Sequence, residues 1–321
     1  MTPEDLNAAW LSRALGQDVS EVTVTEIVWG TATKVRLSAD GLALCAKGGF
    51  DERLAGWGLE PAYELEARFF AELAPALGEG LPRCWFAGGG VVVLEDLVAR
   101  GCTFGDPTQP WPADRVAAAL ELLARWHATA RAPAWLPLGA AAARGAAVQF
   151  LGAEHWDAHF AQDGAPSLPA SLQDPAPILR AFERLWALDD DGPHCVVHGD
   201  AHIGNTYLDA YGTPGFLDWQ TVCRGPWSYD VAYFVGGALS VADRRAHERA
   251  LLDGYLEALR AHGGPRIDAD DAWRDYVRHT LHGFLWAATP PVMQTPERVR
   301  AMAERYVAAI EDHETLGALT V

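Results

Sequence analysis

The stretch Val196–Asn205, VVHGDAHIGN, decides how this chain of 321 residues is read. An apolar pair, Val196-Val197, runs into His198-Gly199-Asp200, and His202 and Asn205 follow closely. The apolar pair reads as the end of a buried strand, and Gly199 lets the backbone turn tightly so that Asp200 projects from the turn. Two chemistries use such residues. Alternating His and Asp side chains can ligate zinc, which takes nitrogen, oxygen and sulfur donors in a tetrahedron. A carboxylate followed at a set distance by an amide suits phosphoryl transfer, in which one group orients the attacking hydroxyl and others hold magnesium on the phosphates.

The zinc reading would build a hydrolase on His194, His198, Asp200 and His202, with further donors sought elsewhere. His155 and His159 lie one helical turn apart, but the pair lacks the glutamate of the HExxH protease motif. His279 and His282 also share one helical face, again without a supporting acid at the expected place.

The phosphoryl-transfer reading finds more. His198, Asp200 and Asn205 fit the pattern H-x-D-x-x-x-x-N, and the hairpin NTYLDAYGTPGFLD carries the chain from Asn205 to Asp218, which opens DWQ. Such a hairpin returns two oxygen ligands, Asn205 and Asp218, to one magnesium ion.

From Val197 to Phe234 the chain reads VHGDAHIGNTYLDAYGTPGFLDWQTVCRGPWSYDVAYF. This segment resembles the aminoglycoside phosphotransferase and choline kinase-like superfamily, small-molecule kinases with the protein-kinase fold. DWQ and RGPWSYDVAYF are most similar to its ecdysteroid-kinase-like branch. The resemblance implies ATP as phosphoryl donor, Mg2+ as cofactor and a hydroxyl on a small molecule as acceptor. It makes Asp200 the catalytic base, Asn205 and Asp218 the metal ligands, and His198, His202 and Asp230 structural supports of the site. Upstream it implies a lysine at a strand end, Lys47 in LALCAK, gripping the α- and β-phosphates. A glutamate on the next helix, Glu66 in ELEARFF, would brace that lysine. The backbone from Glu95 to Leu97, after VVVLEDL, would hold adenine. Gly30-Thr31-Ala32-Thr33-Lys34 would form the phosphate loop, with Gly30, Thr31 and Thr33 at the nucleotide. Two departures stand out: the loop is not G-x-G-x-x-G, and Phe70 stands where the family has tyrosine. Asp230 follows Asp218 by only twelve positions, which leaves little room for the long activation loop of a protein kinase.

Several of these residues have plainer readings. Lys47 could be a surface lysine at a strand end, and Glu66, beside Glu64 and Arg68, part of a solvated helix face. Asp230 could cap the helix VAYFVGGAL. His127, on an apolar helix, reads as a satisfied core histidine. Trp219, Trp227 and Trp286 are candidates for lining an acceptor pocket.

The wider pattern implies an α+β, bilobal, protein-kinase-like fold. VTVTEIVWG, TKVRLSA, LALCAKGG, RCWFAGG and VVVLEDL alternate or run apolar as five strands, with one helix at 61–73 starting near a proline. After Leu97 alanine and leucine dominate at helical spacing, with helices expected at 113–130, 145–162, 175–188, 242–262, 269–287 and 295–313. CVVHGD, NTYLD and GFLDW read as a small sheet inset among them. The division expected is a nucleotide-binding lobe, 1–97, and a helical lobe, 98–321, carrying the catalytic loop and acceptor site.

With 43 acidic against 25 basic residues the net charge is -18, a poor match to nucleic acid or an anionic membrane; it reads first as serving solubility and is compatible with a cationic acceptor. Five scattered cysteines, an N-terminus without a basic and apolar leader, and no bilayer-length apolar run imply a cytoplasmic protein. A non-catalytic nucleotide-binding protein of the same fold is the remaining alternative.

Overall fold

A computed structural model describes residues 1–129, 132–139 and 141–320. They form two compact units, Met1–Phe104 with Tyr207–Val222, and Gly105–Thr206 with the chain from Cys223 onward.

The first unit opens with a helix, α1 (Ala8–Leu15), whose N-cap Asn7 accepts the N–H of Trp10 and which stops at Gly16 in the left-handed region. Five strands follow, β1 (Val22–Val28), β2 (Thr33–Ala39), β3 (Leu42–Gly48), β4 (Cys84–Gly88) and β5 (Val91–Glu95), in the antiparallel order β1-β2-β3-β5-β4. Alternation sets the inward face: Val35, Leu37 and Ala39 of β2, Leu44 and Ala46 of β3, and Val91 and Val93 of β5 pack with Leu6 and Leu11. Between β3 and β4 lie α2 (Glu60–Glu72) and the short α3 (Ala74–Leu77). Helix α2 buries Glu66, Ala67, Phe69 and Phe70, one face at helical spacing. The expected strands and helix are therefore all present. The unit is completed by β6 (Thr103–Phe104), paired antiparallel with β8 (Thr206–Leu208), which is followed by β9 (Pro214–Phe216) in the order β6-β8-β9.

The second unit contains α4 (Ala113–Thr129), α5 (Ala141–Phe150), α6 (Ala153–Phe160), α7 (Pro175–Asp191), β7 (Cys195–Val197) and β10 (Cys223–Gly225). It continues with α8 (Trp227–Ala238), α9 (Val241–Ala261), α10 (Ala269–His279), α11 (Pro296–Asp312) and α12 (Thr315–Thr320). The short strands of the inset sheet thus divide: β8 and β9 are built with the first unit, whereas β7 pairs antiparallel with β10 in the second. The expected helix at 145–162 breaks at Gly152, and that at 269–287 tightens into a 3-10 helix over Thr280–Ala288. His155 and His159 cap the end of that 3-10 helix, donating through Nε2 to the carbonyls of Ala288 and Ala287 at 3.0 and 2.9 Å.

Every residue of α8 is buried, so it is the central helix of this unit. Its close packing needs glycine: a Cβ on Gly283, in the 3-10 helix, would stand 2.0 Å from the Tyr306 ring, and one on Gly237 would stand 2.2 Å from Tyr306 Oη. Among the described residues no helix is long and apolar enough to cross a membrane.

Candidate active site

In the first unit Lys47 is no surface lysine. It lies on the central strand β3, is 5% exposed, and donates through Nζ to Glu66 Oε1 at 2.8 Å and to Asp218 Oδ1 at 2.9 Å. Glu66 is not a solvated face residue either; its Oε1 also accepts the main-chain N–H of Trp219 at 3.0 Å. The Trp219 ring stacks on Phe69, one helical turn from Glu66, at 4.0 Å between centroids. One glutamate therefore fixes both the lysine and the chain that follows Asp218.

Electrostatics in this cluster are unequal. Burial works against the Lys47 ammonium, but Asp218 and Glu66 outweigh it and its pKa is raised. Burial, with the nearby Asp218 charge, pushes the Glu66 carboxyl up against the pull of Lys47. Asp218 is the most exposed of the three, at 29%. Asp218 also sits at φ +67°, a backbone region that costs a non-glycine residue.

In the second unit the turn after β7 carries the expected loop. Gly199 adopts φ +80°. Asp230 is not a helix cap: α8 begins at Trp227, and the buried Asp230 carboxylate accepts the main-chain N–H groups of His198 at 2.6 Å and Gly199 at 3.0 Å. Burial opposes its charge, but His127, whose Nε2 lies 3.2 Å from Oδ2, and the His198 N–H hold the carboxyl below its ordinary range. His127 is a satisfied core histidine, its Nδ1 2.7 Å from Tyr255 Oη. His198 Nδ1 accepts the N–H of Asp200 at 3.2 Å, and His202 Nδ1 accepts that of Gly204 at 3.0 Å, so both histidines brace the loop.

Asp200 is held on both carboxylate oxygens. Asn205 Nδ2 donates to Oδ2 and to the Asp200 carbonyl, each at 3.0 Å, and Tyr233 Oη donates to Oδ1 at 3.2 Å. Because Nδ2 is engaged, Asn205 has its amide oxygen to offer a cation. Tyr233 in turn accepts the Trp286 Nε1–H at 2.7 Å. Sequence reading missed Tyr233. The available signal was its place three residues after Asp230, on the same face of α8. Of the three tryptophans considered for an acceptor pocket, Trp219 and Trp227 are packed against Phe69 and Tyr255, and Trp286 lies edge-on to His202 at 5.1 Å.

The remaining nucleotide candidates are in the first unit. Thr31 offers its carbonyl to Tyr63 Oη, and Thr33, 1% exposed, opens β2 with its hydroxyl unpartnered. Gly30 precedes them in the turn between β1 and β2. At the end of β5, Glu95 N–H donates to Arg83 O at 2.8 Å and Asp96 N–H to Ala43 O at 3.3 Å. The Glu95 carboxylate takes the Arg83 N–H and the Arg100 guanidinium, at 2.9 and 2.6 Å. Leu97, next along the chain after Asp96, is buried.

The histidine metal centre does not assemble. His194 Nε2 donates to Asp189 O at 2.7 Å, and His202 Nε2 is 3.6 Å from Asp200 Oδ2. No three His, Cys, Asp or Glu side chains among the described residues are placed to share a metal ion.

The family model of the phosphotransferase enzyme family matches residues 54–276, and the chain belongs to that family. Over 107 residues it is 32% identical to homoserine kinase of Neisseria meningitidis serogroup B, covering 31% of this chain and about a third, 34%, of that kinase. The fold is similar to that of the solved choline kinase of Streptococcus pneumoniae, with a TM-score of 0.55, 13% identity, and 94% and 99% of the two chains covered. It is also similar to a spectinomycin phosphotransferase solved with ADP and spectinomycin, with a TM-score of 0.55, 13% identity, and 98% and 99% of the chains covered.

Proposed function

We propose that this protein transfers the γ-phosphoryl group of ATP to a hydroxyl of a small molecule, with magnesium. The observation that carries the reading is the buried Lys47–Glu66 pair holding Asp218, 171 residues away in sequence. A lysine so fixed is a rigid cation for the α- and β-phosphates.

The residues fit a magnesium ion. Asp218 carries a carboxylate in the first unit and Asn205 an amide oxygen in the second, both hard donors of the kind magnesium prefers, and phosphates and water would complete its shell. When bound, magnesium neutralises charge on the phosphates. The rest is work for the chain. Lys47 grips the phosphates, the Leu97 N–H and the hinge hold the base, and the loop at Gly30, Thr31 and Thr33 covers the phosphates. Asp200 orients the acceptor hydroxyl and takes its proton as the new oxygen–phosphorus bond forms and the bond to ADP breaks. His198, His202 and Asp230 keep the loop in shape.

The acceptor is a hydroxyl compound with a cationic or amine-bearing part. The net charge of -18 favours it, and the similar proteins are a kinase of homoserine and, by fold, phosphotransferases of choline and spectinomycin. Five free thiols fit a reducing cytoplasm, where ATP is at hand.

The test is ATP consumption with magnesium across a panel of amino alcohols, aminoglycosides and sugars. Asp200→Asn should lower turnover by roughly 10²-fold or more. It should leave the nucleotide-induced rise in melting temperature intact, since the phosphate grip lies elsewhere. A protein that gains stability from MgATP yet phosphorylates nothing supports a non-catalytic nucleotide-binding role instead.

A further inference from the structure

We infer that Tyr233, itself held by Trp286, is a positioning residue that aims the Asp200 carboxylate; the inference rests on the phosphotransferase reading above. Helix α8 turns one face to the loop. Tyr229 Oη donates to Gly199 O at 3.3 Å, Asp230 takes the N–H groups of His198 and Gly199, and Tyr233 reaches Asp200 Oδ1 at 3.2 Å. Residues one helical turn apart share a face, so one rigid helix holds both the loop backbone and its reacting side chain.

Without Tyr233 the carboxylate would be gripped on one edge only, through Asn205 Nδ2 at Oδ2. The carboxylate could then pivot about that contact and swing Oδ1 away. Two donors on opposite oxygens fix the carboxylate plane, and with it the direction of the remaining lone pairs.

The tyrosine hydroxyl is in turn oriented. Trp286 Nε1–H donates to Tyr233 Oη at 2.7 Å, so the phenol proton is left to point at Asp200. Both rings are 5% exposed, and Tyr306 stacks on Tyr233 at 5.4 Å while donating its hydroxyl to the Tyr233 carbonyl at 2.8 Å. The chain from Trp286 through Tyr233 to Asp200 is thus locked by packing as well as by hydrogen bonds. Preorganisation of this kind acts on turnover and not on nucleotide binding.

The experiment compares Tyr233→Phe, Trp286→Phe and the double variant with wild type, using MgATP with water as acceptor and with the best acceptor from the panel. Tyr233→Phe keeps the ring and its stacking. It should lower kcat by roughly 10- to 100-fold, the usual size of a lost hydrogen bond to a charged group. KM for ATP and the melting shift with MgATP should stay within about twofold of wild type. Trp286→Phe should lower kcat less, and the double variant should fall no further than Tyr233→Phe, because the two act in series. In crystals of Tyr233→Phe the Asp200 side chain should leave its single orientation.

Additive losses, or losses that track KM and melting temperature, would show a merely structural role and overturn the inference. So would wild-type kcat in Tyr233→Phe with Asp200 unmoved. If Asp200→Asn itself turns over normally, it is the phosphotransferase reading that fails, and the positioning role with it.

Discussion

Lys47 Nζ meets Asp218 Oδ1 at 2.9 Å although 171 residues separate them in sequence. The contact is shared with Glu66, and the three side chains make a cluster with one more negative than positive charge. Each contact in the cluster can be tested by a single substitution.

Lys47→Met removes the cation from a glutamate whose side chain is 4% exposed. Breaking a buried pair from one side costs about 3–5 kcal/mol, because the surviving charge is left uncompensated. Urea denaturation should show a loss of that order. Glu66→Gln added to Lys47→Met should recover part of it, while the melting shift with MgATP stays small in both.

Asp218→Asn is nearly isosteric and leaves Lys47 and Glu66 paired at 2.8 Å, so stability should change little. What should go is the effect of magnesium. In wild type, magnesium should add to the melting shift produced by ATP. In the variant the shift with ATP should be the same with and without it.

Asp230→Asn replaces two acceptor oxygens by one, leaving an N–H of His198 or Gly199 without a partner. A stranded buried donor costs about 1–3 kcal/mol. The pH dependence has a definite sign. The Asp230 carboxyl is held below its ordinary range, so its contribution is present above an unfolded value of about 3.9 and is lost as pH falls through the folded one. The gap between variant and wild type in urea midpoint should therefore close below about pH 4.

His282 carries the opposite kind of constraint. Burial lowers its pKa to about 4, and its Nε2 shares a hydrogen bond with Tyr229 Oη at 2.7 Å. Below the unfolded value of about 6.5 the unfolded chain takes up a proton that the folded imidazole does not, so stability falls with pH by about 1.4 kcal/mol per unit down to about pH 4. His279 works the other way: burial opposes its charge, but Asp189 at 3.0 Å outweighs it and raises the pKa. Its contribution is complete below about pH 6.5 and is lost as pH rises through the folded value. In a His282→Gln variant the slope of stability against pH between about 4 and 6 should flatten by one proton. An unchanged slope would mean that His282 is protonated in the folded protein.

Most of the site's cast could be read in the chain. HGDAHIGN and DWQ point to the proposed chemistry through residue type and spacing, because a turn of fixed length sets where Asp200 and Asn205 emerge. The five strands follow from a period of two in apolar residues, and Lys47 at the end of LALCAK falls on the central strand for that reason. The sequence could not separate the catalytic and plain readings of Lys47 and Glu66. Both are matters of burial, and burial is decided by what folding brings together: the Trp219 N–H reaches Glu66 from 153 residues on, and its ring stacks on Phe69.

Asp230 shows the same limit more sharply. Its position near a helix start suited a cap, yet the helix begins three residues earlier and the carboxylate serves the backbone of another loop. Tyr233 was one more aromatic in an apolar helix until Trp286, 53 residues on, was brought to 2.7 Å from its hydroxyl. Local pattern determined the elements and the chemistry each motif can perform, since backbone period and turn geometry depend on neighbours in sequence. Only the tertiary structure decided which donors meet Asp200 and which carboxylates share Lys47. A hydrogen bond requires two groups within about 3 Å, and that distance is set by packing between segments that carry no record of each other.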